Sequence, residues 1–359
     1  MKSIQFIVCF LSLICFNSQL SAQLGNGKSS DIKEILQRPL IVIIEEPDSK
    51  VIKKLDKKGL EAEKKDYLED IAQYNANMKA MVEKYWKGSG KKIIYKTEKQ
   101  LPDIRVKNRE GYALLYCVSY TMKTITVRGS QSYYPSYTDN LFSGYDFREL
   151  GKKWPHRSEH SIMIINLLEN GYFAPIYSVT LPNLIPTQFD LRLGMDMLRN
   201  YFDYQLYKEK NKSKISLRNY EKATIEQNAA KLKDMTLLIP EYYLYEDFTK
   251  EDLKKIYPYP FKLCSTEEYK KLIMQEDEKY AYMTDCSIPV STNGCITNYS
   301  ILTAKDNTIL AGDLSNPGSL FDPKKFMAMT HGKIDEKIMK KFAEQISGEE
   351  EDKDKKQKK

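Results

Sequence analysis

Gly111-Tyr112-Ala113-Leu114-Leu115-Tyr116 and Lys279-Tyr280-Ala281-Tyr282-Met283 are two versions of one short strand, and their surroundings repeat with them. Ahead of each, after a similar gap, stand another strand and a Thr-Glu step. These are Ile93-Ile94-Tyr95-Lys96-Thr97-Glu98 and Phe261-Lys262-Leu263-Cys264-Ser265-Thr266-Glu267. Further upstream lie the apolar runs 39–44 and 235–239. Downstream come 164–167 with a turn at Asn170-Gly171, and 301–304 with a turn at Asp306-Asn307. Short apolar runs bounded by turn residues are the pattern of buried strands. The order of strands and turns matches while few identities do, so the chain reads as a degenerate tandem repeat of one domain.

The segments between the strands carry helical signals. Tyr67, Leu68, Ile71, Tyr74, Met78, Met81, Val82 and Tyr85 keep helical spacing, and Gly88 and Gly90 supply a stop. Thr97 with Gln100, Thr249 with Asp252 and Ser265 with Glu268 are spaced as helix caps. Each copy thus reads β-α-β-α-β, then a β-hairpin, then a closing helix. The class is α/β (α+β), a mixed sheet with covering helices. The first three strands are expected to run parallel through right-handed crossovers. The hairpin is expected to turn, in the first copy, across Asn170-Gly171.

Composition and the chain ends divide the sequence. Met1-Lys2, the apolar run 4–16 and Leu20-Ser21-Ala22 have the form of a secretory signal, with cleavage near Ala22. Cys15 raises a lipoprotein as the alternative, against which stands the bulky Ile14 where a lipobox has a small residue. No later apolar run has the length of a membrane span. The expected layout is a signal over 1–22, a flexible leader over 23–30 and a first domain over 31–210. A linker over 211–225, with a helix from about Leu217 to Lys233 leading into the second copy, a second domain over 226–346 and a disordered charged tail over 347–359 follow. The expected location is periplasmic, outer-membrane-associated or extracellular. A net charge of +7, with acids interleaved among the bases, argues against nucleic acid as partner.

The first copy is longer than the second by about thirty residues, a connection far above the usual length. This insertion, 123–158, holds Tyr133, Tyr134, Tyr137, Phe142, Tyr145, Phe147 and Trp154. Aromatics with polar edges recur at binding hot spots. Tyr133, Tyr134, Tyr137, Phe142, Tyr145 and Trp154 are therefore the candidate partner-binding residues. Packing against their own sheet is the competing role.

The strand order resembles the repeating domain of curli-secretion-channel lipoproteins and the amino-terminal domain of the Tol-Pal translocation protein. In both, a Tyr-hydrophobic-hydrophobic strand precedes a hairpin and a closing helix, as Tyr112-Ala113-Leu114-Leu115 and Tyr280-Ala281-Tyr282-Met283 do here. The pore-forming hairpins of the channel family have no visible counterpart in the sequence pattern. The resemblance implies a bacterial envelope protein that associates with other envelope proteins.

Chemistry-bearing motifs are sparse. His156-Arg157-Ser158-Glu159-His160 matches the H-x-x-E-H pattern of inverted zinc peptidases, with Glu221 or Glu226 as distant third ligands. That motif needs a helix, whereas the following residues align with a strand. His156, Glu159 and His160 are read as a polar loop end, with a zinc hydrolase as the alternative. Gly88-Ser89-Gly90-Lys91-Lys92 lacks Walker spacing and runs from helix to strand, the wrong order for a phosphate loop. Of the cysteines outside the signal, Cys117 and Cys264 sit in apolar strands. Cys286 and Cys295 flank a short connection and form the candidate disulfide in an oxidising compartment. No cofactor is called for. The expected function is that of a non-catalytic interaction or assembly module whose partner is another envelope protein. A solute-binding protein with an interdomain cleft is a further alternative.

Overall fold

Backbone pairing, more than side-chain identity, carries the repeat. The computed structural model describes residues 23–25, 27–88, 92–101, 111–127, 130–137, 160–168, 175–181, 183–244, 248–291, 294–312, 334 and 336–348. It divides into two compact units that meet in the sequence at Ser213 and Lys214.

The first unit runs β1 (Gln23–Gly25), α1 (Ser29–Gln37), β2 (Leu40–Ile43), α2 (Ser49–Lys58), α3 (Glu61–Tyr85) and β3 (Ile93–Lys96). A 3-10 turn (Glu98–Gln100), β4 (Ala113–Val127), β5 (Ser130–Tyr137), β6 (His160–Leu167), β7 (Tyr177–Leu181) and α4 (Gln188–Lys210) complete it. The second runs α5 (Leu217–Asn228), β8 (Thr236–Pro240), α6 (Lys250–Ile256), β9 (Phe261–Cys264) and α7 (Thr266–Met274). Then come β10 (Tyr280–Ser291), β11 (Gly294–Thr303), β12 (Ile309–Gly312) and α8 (Glu336–Ser347).

Both sheets are mixed and share one order. In the first it is β1-β7-β6-β4-β2-β3, with β5 also on β4; in the second it is β12-β11-β10-β8-β9. The registers coincide. Leu40 faces Ile93 on one side and Ala113 on the other, and Leu237 likewise faces Phe261 and Ala281, all in parallel pairs. The antiparallel side agrees as well. Leu168 N–H donates to the Tyr112 carbonyl at 3.1 Å, and Ala304 N–H donates to the Tyr280 carbonyl at 2.8 Å. Tyr112 and Tyr280 are therefore equivalent, and five strands of each sheet correspond.

Central position explains composition. All four residues of β2 (Leu-Ile-Val-Ile) are buried, as a parallel strand with neighbours on both sides requires. Tyr67, Ile71, Tyr74, Met78, Met81 and Val82 bury the inner face of α3, while Leu68 points outward at 38% exposure. The helix ends at Tyr85 because Trp86 is already extended, so the stop precedes Gly88. Gly194 lets α4 approach the sheet closely: a Cβ there would lie 2.9 Å from Met163 Sδ and 3.0 Å from Leu181 Cδ2.

Three stretches differ from the sequence expectation. The leader expected to be flexible contains β1, on the edge of β7, and the start of α1. Gly27 N–H donates to the Ile176 carbonyl at 3.0 Å and its carbonyl accepts from Tyr201 Oη at 3.0 Å. Backbone pairing of this kind needs no apolar side chains, so composition does not reveal it. By contrast, the helix expected from about Leu217, which overlaps the assigned linker, is present as α5 and starts there because Ser216 Oγ accepts from Asn219 N–H at 3.2 Å. The stretch between Cys286 and Cys295 is almost entirely strand. Finally, the insertion begins as regular structure, with β4 continuing to Val127 and β5 returning over 130–137. The expected signal, the expected turn at Asn170-Gly171 and most of the expected tail lie outside the described residues.

Candidate functional site

The feature that most distinguishes the first unit is a two-stranded ribbon. β4 pairs with β2 over 113–115 and with β6 over 113–120, antiparallel in the latter case. From Thr121 to Val127 its partner among the described strands is β5 alone. Tyr120 is the rung where the two pairings overlap: it lies opposite Tyr137 of β5 on one edge of β4 and opposite His160 of β6 on the other. In the second unit the return strand β11 is unbroken. The extra length of the first copy thus consists of the β4–β5 hairpin beyond Tyr120 plus residues 138–159, which lie between β5 and β6 in the sequence.

The sequence-derived candidates fall on this frame as follows. Tyr133 pairs in register with Thr124, Tyr134 with Lys123 and Tyr137 with Tyr120. Phe142, Tyr145, Trp154, His156 and Glu159 lie outside the described residues. His160 opens β6, so the end of the H-x-x-E-H motif is strand. Cys286 lies within β10 and Cys295 within β11. The β-branched residues Thr121, Thr124, Ile125, Thr126 and Val127 were the available signal for the ribbon. Pro135, which removes a ladder donor and is tolerated on edge strands, disguised the return half.

The start of β6, beside the rung from which the ribbon leaves, is pinned by buried polar groups. Ser161, one residue beyond the shared rung, donates from Oγ to the Asn183 carbonyl at 2.6 Å. Asn183 Nδ2 donates to Asp190 Oδ2 at 2.8 Å. The same oxygen accepts from Thr187 N at 2.7 Å and Thr187 Oγ1 at 2.8 Å. Asp190 is fully buried in the first turn of α4, where a carboxylate also meets the positive end of the helix dipole. Two residues on, Arg192 is 1% exposed and its Nε lies 3.6 Å from Asp196 Oδ2; its guanidinium stands 5.7 Å over the Tyr85 ring. Arg199 completes the group at 2.9 Å from Asp196 Oδ1. The Ser161–Asn183–Asp190 chain ties the start of α4 to the start of β6, and Arg192 ties α4 to the end of α3.

The buried thiols are chemically quiet. Burial pushes Cys117 up to about 12, beside the Tyr74 hydroxyl, which burial also raises. Burial raises Cys264 as well. Neither is a thiolate nucleophile near neutral pH. Among the described residues no three His, Cys, Asp or Glu side chains converge as metal ligands. No described helix is long and apolar enough to cross a membrane. Comparison of the chain with protein-family models, with curated proteins and with solved structures gave no match.

Proposed function

We propose that this protein is a non-catalytic interaction module of the bacterial cell envelope, and that the β4–β5 ribbon is its partner surface. The observation that carries the reading is the pairing of residues 121–127 with β5 alone among the described strands. A two-stranded ribbon is marginal in water by itself and gains stability from what packs on it. The ribbon sequence suits that role. It is dense in hydroxyls and tyrosines, including Thr121, Thr124, Thr126, Ser130, Ser132, Tyr133, Tyr134, Ser136 and Tyr137. Tyrosine provides broad contact area at low conformational cost, and hydroxyls provide adaptable hydrogen bonds. The Ser161–Asn183–Asp190 contacts hold the start of β6, which pairs with β4 up to the rung from which the ribbon leaves.

Export, removal of a signal near Ala22 and kinship with envelope-channel or translocation domains belong to the same proposal. They rest on the first residues and on the strand order. The test is a comparison of the mature chain with its Tyr133→Ser, Tyr134→Ser, Tyr137→Ser variant in capture from envelope extracts. The expected result is a captured protein lost in the variant at unchanged melting temperature. A fall in melting temperature with capture intact would assign these tyrosines to internal packing and remove the ribbon as partner surface.

A further inference from the structure

Helix α2 carries Lys50, Lys53, Lys54, Lys57 and Lys58 at i, i+3, i+4, i+7 and i+8, which places all five on one face. All five are exposed. The opposite face holds Val51, Ile52 and Leu55, and Leu55 is fully buried. The lone acid of the helix, Asp56, lies 2.5 Å from Lys64 of α3. The next acids in sequence, Glu61 and Glu63, sit in the first turn of α3, where the helix dipole favours them.

Helix energetics do not account for this row. Lys57 and Lys58 benefit from the negative end of the helix, but Lys50 stands in the first turn, at the positive end. Lysine pairs at i,i+4, namely 50/54, 53/57 and 54/58, repel. The corresponding connection of the second unit has no such row, since α6 places Glu251 and Asp252 beside Lys254 and Lys255. The basic face is thus an addition to the first copy alone.

We infer that the lysine face of α2 docks this protein on an anionic phospholipid surface. Five charges spread over about 12 Å of helix match a plane that offers negative charge at every point. Lysine is a hydrated point charge without the fork that reads a single phosphate or carboxylate, so the row suits a diffuse field better than a patterned partner. Because the apolar face is turned into the protein, the contact is electrostatic and peripheral, without insertion of the helix. This docking is independent of the ribbon: it uses a different element and a different chemistry.

The test is co-sedimentation of the mature chain with vesicles of phosphatidylcholine containing about 30% phosphatidylglycerol, against pure phosphatidylcholine. Binding is expected to the anionic vesicles alone and to disappear at about 0.5 M salt, where screening is nearly complete. Each Lys→Gln substitution at 50, 53, 54, 57 or 58 is expected to lower the partition coefficient about fivefold. Removing the same total charge from the scattered, exposed Lys231, Lys233, Lys254, Lys255 and Lys271 is expected to change it little. Should the fivefold variant lose its melting transition, the double variant Lys53→Gln, Lys54→Gln decides, with an expected drop of about 25-fold. Equal losses in the scattered-lysine control, binding to neutral vesicles, or binding to soluble polyphosphate but to no vesicle would each overturn the inference.

Discussion

Gln345 bonds Gly312 as a neighbouring strand would: its Oε1 accepts from Gly312 N–H at 3.1 Å and its Nε2 donates to the Gly312 carbonyl at 3.0 Å. Gly312 ends β12, the edge strand of the second sheet, and is buried. Edge groups left without partners are costly when buried. Gln345→Ala is therefore expected to destabilise the second unit by about 1–3 kcal/mol. Gln345→Glu keeps an acceptor but loses the donor, and is expected to fall between. Urea unfolding of each variant checks this; an unchanged midpoint in Gln345→Ala would mean that solvent replaces both bonds.

Gly194 offers a graded test of packing between α4 and the first sheet. Alanine there gains about 1 kcal/mol of helix propensity. Its Cβ meets the flexible ends of Met163 and Leu181 at 2.9–3.0 Å, an overpacking that costs about 1–3 kcal/mol. The two effects nearly offset, so Gly194→Ala is expected to lose no more than about 2 kcal/mol. Gly194→Val adds a branched side chain without the propensity gain and is expected to lose clearly more. Equal melting temperatures for the two variants would show that this helix can slide away from β6 and β7.

Glu221 on α5 gives a pH dependence of defined sign. Burial, with no compensating cation, raises its carboxyl to about 7. The folded state therefore holds a proton that the unfolded state has released between about pH 4.5 and pH 7. Stability must fall as pH rises through that window and level off above it. Glu221 retains partial surface exposure, so solvent moderates the size of the fall. Glu221→Gln is expected to flatten this part of the urea-midpoint profile against pH. A profile identical to that of the parent chain would locate the proton elsewhere.

How far the sequence foretold this depends on what holds each element. β2, β8 and the Tyr112 and Tyr280 positions were legible because central strands bury every side chain and show it as apolar runs. The caps at Thr249 and Ser265 were legible because capping has fixed spacing. β1, β5 and the outer half of β10 were not, because edge and ribbon strands are held by backbone bonds that leave polar composition untouched. The lysine face of α2 was visible in principle, at i, i+3, i+4, i+7 and i+8. It disappeared in a chain-wide view of interleaved charge.

The structure also bears on the cysteine pair through register. Ala304 N–H donates to the Tyr280 carbonyl at 2.8 Å, which sets these residues opposite each other at the open end of the β10–β11 hairpin. Counting outward, Cys286 comes opposite Asn298, or opposite Tyr299 if one bulge intervenes. Cys295 is then roughly three or four residues along the strand from the Cys286 rung. At about 3.4 Å per residue the offset is on the order of 10–14 Å between Cα atoms. A disulfide tolerates less than about 7 Å. The expected outcome is that Cys286 and Cys295 are not joined within one chain. Alkylation of the native chain under non-reducing conditions, followed by peptide mapping, checks it. A linked Cys286–Cys295 peptide from monomer would require β10 and β11 to be shifted by those three or four residues. The rung at Tyr280 and Ala304 would then have to give way, and with it part of the equivalence between the two copies.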